Sequence, residues 1–500
     1  MRAAYLMSFM AFAACGRDAS RSTEVAVDTG ATDDANALID TAPDETANDT
    51  APDETASDTA PDETASDTAP TPTDGVADTH VDATADMLED DGTPDTDDAH
   101  DAVVARKNTC TAPTSAAVEG ASVPEGFCAS VWASELATPR GLFVTDGGDV
   151  LVVERSASQV TALWDADGDG VSGAGERVRL ARASGLNHGL AVHGGFLYAS
   201  SSSTVYRWAF AAGTRADLGA PEVVIRDIPT GGHATRTVVL DASGRLYVSI
   251  GSASNVDADA RRARVRRFDV GALVAGDIPF TDGEVFADGL RNEVGLAFDA
   301  AGRLWGVQNG IDMLQRGDLG GDIHEDNPAE ILSRFDTPGA FHGYPWCWTE
   351  FRLPAGVGLG AGTMWAHPST MNDGTHDDTW CRDPAHVDPP ELAMQGHAAP
   401  LDLEFYDGAS FPETFAGDLF ITLHGSWNRS VPTGYKVVHV DIDASGHASA
   451  PEPFLEYAGQ GDLAARWPHR PVGIRVGRDG QLFVSSDASN LIMVVGHRGE

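Results

Sequence analysis

GLFVTDGGDVLVVE, residues 141–154, is an apolar run, a Gly-Asp turn and a second apolar run, the pattern of a β-hairpin. The pattern returns in GLAVHGGFLYAS (189–200), TVVLDASGRLYVS (237–249), GLAFDAAGRLWGV (295–307), LEFYDGASFPETFAGDLFIT (403–422) and GIRVGRDGQLFVS (473–485). The first copies start roughly 50 residues apart, about the length of one four-stranded propeller blade. Six copies predict an all-β fold, a six-bladed β-propeller over residues 109–500, with each hairpin opening a blade. Closing the ring removes free sheet edges and gathers loops from every blade at a central funnel. A two-sheet sandwich accounts for neither the repetition nor the length. The stretch from Ile311 to Pro400, rich in Gly, Pro, His and Trp, reads as an insertion between blades four and five.

Outside the repeats the chain changes character. Residues 1–14 open with Met1-Arg2 and an apolar run from Ala3 to Ala14, and Phe12-Ala13-Ala14 precedes Cys15. This resembles a bacterial lipoprotein signal, in which diacylation of Cys15 anchors the mature chain to a membrane; the bland reading is simple cleavage and secretion. Residues 15–108 carry a nine-residue acidic repeat, DTAPDETAN then DTAPDETAS, starting at Asp40, Asp49 and Asp58. With few large apolar groups and strong self-repulsion, this part is expected to be a disordered acidic tether. Acids outnumber bases 76 to 33, and the net charge of −43 excludes nucleic acid as a natural partner.

Apart from Cys15 the cysteines are Cys110, Cys128, Cys347 and Cys381, an even number in a chain that leaves the cytoplasm. Two disulfides are expected; of three possible connectivities, the local one suits a sequential fold best. No CxxC or CxxCH occurs, which argues against a zinc site and an attached haem.

Three stretches carry candidate chemistry. Asp165, Asp167, Asp169 and Glu176 fall at positions 1, 3, 5 and 12 of a calcium-type loop, with Gly170 at position 6. The flanks read as strands, so the loop is a blade hairpin holding a structural cation, or an acidic turn without one. GGHATRT (231–237) and GLRNEVGLAF (289–298) precede innermost strands, so His233, Arg236, Arg291 and Asn292 should point into the funnel. A histidine there can take a proton from a hydroxyl, and an arginine can hold an anionic cofactor or a developing oxyanion. His188 in LNHGLAV lines the substrate site or is a hydrogen-bonded loop histidine. Gly168-Asp169-Gly170 opens no helix after a strand, which argues against nicotinamide binding.

GGHATRT, LYVSIGSASN, GLRNEVGLAF, QNGID, FHGYPWC, HGSWNRSVPTGYKVV and RPVGIRV, in this order over about residues 123 to 497, resemble the quinoprotein glucose and sorbosone dehydrogenases, most closely the sorbosone branch. The resemblance implies a six-bladed propeller oxidising a sugar with pyrroloquinoline quinone (PQQ) and Ca2+, and passing electrons to a separate acceptor. By position, the base falls on His233 and the cofactor-binding pair on Arg291 and Asn292. The family's calcium takes carbonyls from a Gly-Pro step that falls on Gly310 and Ile311. Arg470 matches an arginine near the quinone carboxylates. The lysine that some glucose-oxidising members place on the quinone has no clear counterpart, Arg429 or His424 being the cations that could take its place, and Trp427 offers a ring for the quinone or the sugar. Gly232 replaces the acid of the glucose oxidisers, so glucose itself is not singled out. Two other classes stay open: a non-catalytic surface propeller binding a protein or glycan, and a metal-dependent lactonase on the same architecture.

Overall fold

The computed structural model describes residues 106–110, 115–271, 277–459 and 461–499. The signal segment, Cys15 and nearly all of the acidic tether lie outside the described residues.

All six hairpins form, and each supplies the two innermost strands of a sheet. Blade 1 runs outward as Pro139–Val144, Val150–Glu154, Gln159–Leu163 and Arg177–Arg182. Blades 2 and 3 begin at Leu190–His193 and Val238–Leu240, and each gains a fifth, parallel edge strand, Ile278–Pro279 and Ala340–Phe341 respectively. Blade 6 is closed by the N-terminal strand Phe127–Ala133, which pairs antiparallel with Leu491–His497. One sheet thus joins the two ends of the repeat region, and a later segment cannot fray without breaking that ladder.

The repeat's leading glycines have a packing reason. A Cβ on Gly141 would lie 2.2 Å from the His188 carbonyl oxygen, on Gly189 2.3 Å from that of Arg236, and on Gly473 2.6 Å from that of Arg140. Innermost strands of neighbouring blades touch here backbone to backbone. Blade 3 uses Thr237 instead, whose hydroxyl donates to the Val294 carbonyl of blade 4. Farther out, aromatic and aliphatic side chains fill the gaps between blades: Trp132, Leu142 and Phe483 between blades 6 and 1, and Tyr247, Phe286 and Leu296 between 3 and 4. Burial of this kind contributes roughly 1.5–3 kcal/mol per large apolar side chain.

One expectation fails. The stretch 311–400 is not an insertion between blades four and five, because it contains blade 4's own outer strands, Glu330–Arg334 and Leu392–Met394, behind Glu293–Phe298 and Leu304–Gln308. Only the long connections around them are added, and these fold over a small core of Ile311, Tyr344, Trp348 and Trp365. The local disulfide pairing holds: Cys110 to Cys128 and Cys347 to Cys381.

Candidate functional site

The loops that lead into the innermost strands converge at one end of the ring. His233 is half-buried on the loop before Val238–Leu240. Its Nδ1 lies 3.0 Å from the Ser252 carbonyl oxygen, and its backbone N–H donates to the same oxygen at 3.1 Å. A carbonyl only accepts, so in the neutral ring Nδ1 carries the proton and Nε2 is left as an acceptor. Burial, followed by the nearby Arg291 charge, pushes the His233 ring down to about 4, so it is neutral in ordinary buffers.

Gly251 brings His233 and Asn292 together. A Cβ there would lie 2.5 Å from Asn292 Oδ1 and 2.7 Å from His233 Cβ, so the bare glycine permits the two side chains to flank one gap. Arg291 is buried beside them. Its Nη2 donates to Asn255 Oδ1 and Asp312 Oδ2, both at 2.9 Å, and its backbone N–H donates to Gln308 Oε1 at 3.0 Å. Asp312 also accepts from Asn428 Nδ2 at 2.8 Å, which ties blade 4 to the HGSWNR loop of blade 5. Gly310 packs against Pro328, where a Cβ would sit 2.7 Å from Cγ, and Ile311 turns its side chain into the core.

Across the ring, Arg470 donates to the carbonyls of His424 (3.1 Å) and Gly425 (2.8 Å) and lies over the Tyr435 ring. His424 Nε2 meets Asp487 Oδ1 at 2.8 Å, and Arg140 donates to the other carboxylate oxygen at 2.7 Å. Against the cost of burial, the His424 hydrogen bond and the Arg140 charge hold the Asp487 carboxyl well below the usual range. His188 is 3 % exposed, and its Nδ1 has no protein partner. Burial, with Arg140 and Arg475 nearby, pushes its ring well below the ordinary histidine value.

Two sequence-based expectations, for Arg236 and Glu176, are corrected. Arg236 does not reach the funnel; it is fully buried and donates to the carbonyls of Pro229 (2.8 Å), His233 (2.6 Å) and Thr235 (2.6 Å), which makes it a clasp for the histidine loop. Arg429, on the HGSWNR loop, donates to Asp326 Oδ1 at 3.2 Å and the Val431 carbonyl at 3.1 Å. Glu176 stands outside the acidic group: its carboxylate accepts from Ala166 N (2.7 Å) and Gly173 N (2.8 Å), whereas Asp165, Asp167 and Asp169 bring oxygens within 4.8 Å of one another. That group lies on the outer hairpin of blade 1, between Gln159–Leu163 and Arg177–Arg182. Trp427 is 66 % exposed on the rim.

Several site residues had no role assigned from sequence. Ser252, Asn255, Gln308, Asp312 and Asn428 all fall inside the motifs LYVSIGSASN, QNGID and HGSWNR, so the signal was their position in those motifs. Glu330 had no such signal.

The six-bladed propeller thus gathers a neutral histidine, an asparagine and arginines from its inner loops at one mouth. The chain belongs to the TrAA12-like family, which matches residues 121–498. It is 31 % identical over 407 residues to a pyrroloquinoline quinone-dependent pyranose dehydrogenase of Coprinopsis cinerea, covering 75 % of this chain and 54 % of that protein, so it spans about half the length of that relative. The holo PQQ domain of pyranose dehydrogenase from Coprinopsis cinerea superposes with a TM-score of 0.66 at 30 % identity, over 75 % of this chain and 97 % of that one. A calcium structure of the family AA12 enzyme of Trichoderma reesei gives 0.66 at 27 % identity, over 78 % and 100 %.

Proposed function

We propose that this chain is a PQQ- and Ca2+-dependent dehydrogenase of pyranose sugars or related polyols, with His233 as the general base. The observation that carries the reading is His233 itself, locked through Nδ1 to the Ser252 carbonyl and flanked by Asn292 and Arg291. The residues present fit the cofactor. A planar tricarboxylate needs cationic and amide donors, and Arg291, Asn292 and Arg470 offer them; His188 Nδ1 is a buried ring nitrogen still lacking a protein partner. Gly251 leaves open the space that a Cβ would fill. Gly310 and Ile311 would turn backbone carbonyls to the calcium. Held there, the quinone would supply a two-electron hydride acceptor and the calcium a Lewis acid.

The chain's own part is proton transfer and placement. His233 Nε2 takes the hydroxyl proton as the carbon–hydrogen bond breaks, so an aldose leaves as its lactone, two electrons poorer. The Nδ1–H to Ser252 contact keeps the ring from rotating and steadies the imidazolium that forms. Electrons then pass to a separate acceptor. The two disulfides support export, and we assign the anchor to Cys15. A sorbosone-like aldehyde is the alternative substrate.

The test is to titrate calcium-loaded protein with PQQ, then add a panel of aldoses. Stoichiometric binding followed by sugar-dependent bleaching of the quinone is expected. His233→Ala should bind quinone yet lose on the order of 10²–10⁴-fold in turnover. A folded wild-type protein that binds no quinone overturns the proposal, and leaves a surface propeller; sugar-lactone hydrolysis without any acceptor would point to the lactonase.

A further inference from the structure

Glu330 opens the third strand of blade 4 and is 3 % exposed. Its carboxylate is held by backbone N–H groups: Gly310 N donates to Oε2 at 2.7 Å and Ala399 N donates to Oε1 at 3.1 Å. Burying a carboxylate without a cation in contact is costly, and an amide of the same shape would be cheaper to bury. Burial accordingly pushes the Glu330 carboxyl up to about 7, and what the group holds is informative. Gly310 belongs to the turn after Leu304–Gln308, and the carbonyl of the same peptide unit, on Asn309, lies 3.5 Å from Arg291 Nη1. Ala399 sits at φ 56°, a left-handed conformation that a non-glycine residue adopts at a cost of about 1–2 kcal/mol. Both its backbone groups are engaged: the N–H by Glu330, and the carbonyl by His424 N at 2.9 Å. The neighbouring Ala398 carbonyl accepts from Gly425 N at 3.0 Å, and Arg470 donates to the carbonyls of His424 and Gly425.

We propose that Glu330 is a positioning residue for the cofactor site, one carboxylate that holds the Gly310–Ile311 turn and the His424–Gly425 loop at a set separation. The inference rests on the quinone reading above. Glu330 touches neither His233 nor Asn292, so it governs how well the quinone is received and not the proton transfer.

Glu330→Gln keeps one acceptor oxygen and turns an NH2 group toward the other N–H donor, which releases one of the two loops. Losing one of these two backbone hydrogen bonds on a loop that must be in place is expected to weaken PQQ binding by roughly 10- to 100-fold, read by absorbance titration of the calcium-loaded full chain. The His233 ring should titrate in the variant as it does in wild type by NMR, since Glu330 does not touch it. In the wild-type, quinone-free protein, the Gly310 and Ala399 amides should already be protected from hydrogen exchange. Equal quinone affinity in wild type and Glu330→Gln, whatever the melting temperature does, overturns the proposal. So does rapid exchange of either amide, a result that stands even if the variant fails to fold. Absence of quinone binding by wild type would instead overturn the dehydrogenase reading.

Discussion

Gly251→Ala tests whether the apposition of His233 and Asn292 is the working site. The added methyl would meet Asn292 Oδ1 at 2.5 Å and His233 Cβ at 2.7 Å. The asparagine can rotate away. The histidine cannot, because its Cβ is fixed to the backbone and its ring is tied to the Ser252 carbonyl. Ordinary carbon–carbon contact begins near 3.5 Å, so His233 must give way by roughly 0.8–1 Å. A misplacement of that size costs about 100-fold in rate, or about 2.7 kcal/mol at 1.36 kcal/mol per decade. The assay is kcat/KM for sugar-dependent dye reduction at saturating quinone and calcium, with quinone binding followed separately by absorbance. Gly175→Ala, where nothing lies within 4 Å of the added carbon, is the control and should behave as wild type. A Gly251→Ala protein oxidising sugar within threefold of wild type would refute the assignment of these two side chains to the reacting centre.

The remaining predictions concern the ring and the base. Gly473→Ala places a methyl 2.6 Å from the Arg140 carbonyl and 3.1 Å from Ser485 Oγ, neither of which can retreat from the blade 6 to blade 1 contact. It should destabilise the propeller by about 1–3 kcal/mol in urea denaturation, and an unchanged midpoint would show that the inner strands do not pack so closely. In quinone-free protein the His233 ring should titrate near 4 by NMR, against about 6.5 in the unfolded chain. The folded state thus favours the neutral ring: its contribution to stability is whole above pH 6.5 and is lost as pH falls toward 4, and His233→Ala should flatten that part of the pH–stability curve. A midpoint near 6.5 would mean that the ring is solvated and not packed as described.

Hairpins were legible because both strands and their turn lie within 12 to 20 residues, where apolar runs and Gly-rich bends act locally. Blade 4 was misread for the opposite reason. Its second strand ends at Gln308, its third begins at Glu330 and its fourth at Leu392, so no short-range signal links the pieces. Arg236 shows another limit. Its position before an innermost strand marked it as a funnel residue, yet three backbone carbonyls turn it inward, and carbonyl directions are set only once the loop has folded.

By itself, then, the sequence determined the repeat, its propeller closure and the motifs that carry His233, Arg291 and Asn292, since each depends on pattern over a few residues. Tertiary structure alone decided which of these groups meet. Gly251 opens the gap between His233 and Asn292, Asp312 joins Arg291 to Asn428 across two blades, and Glu330 reaches Gly310 and Ala399 from opposite sides. Such contacts span 20 to over 100 residues of chain, and only the packing of six sheets around one axis brings their ends within hydrogen-bonding distance.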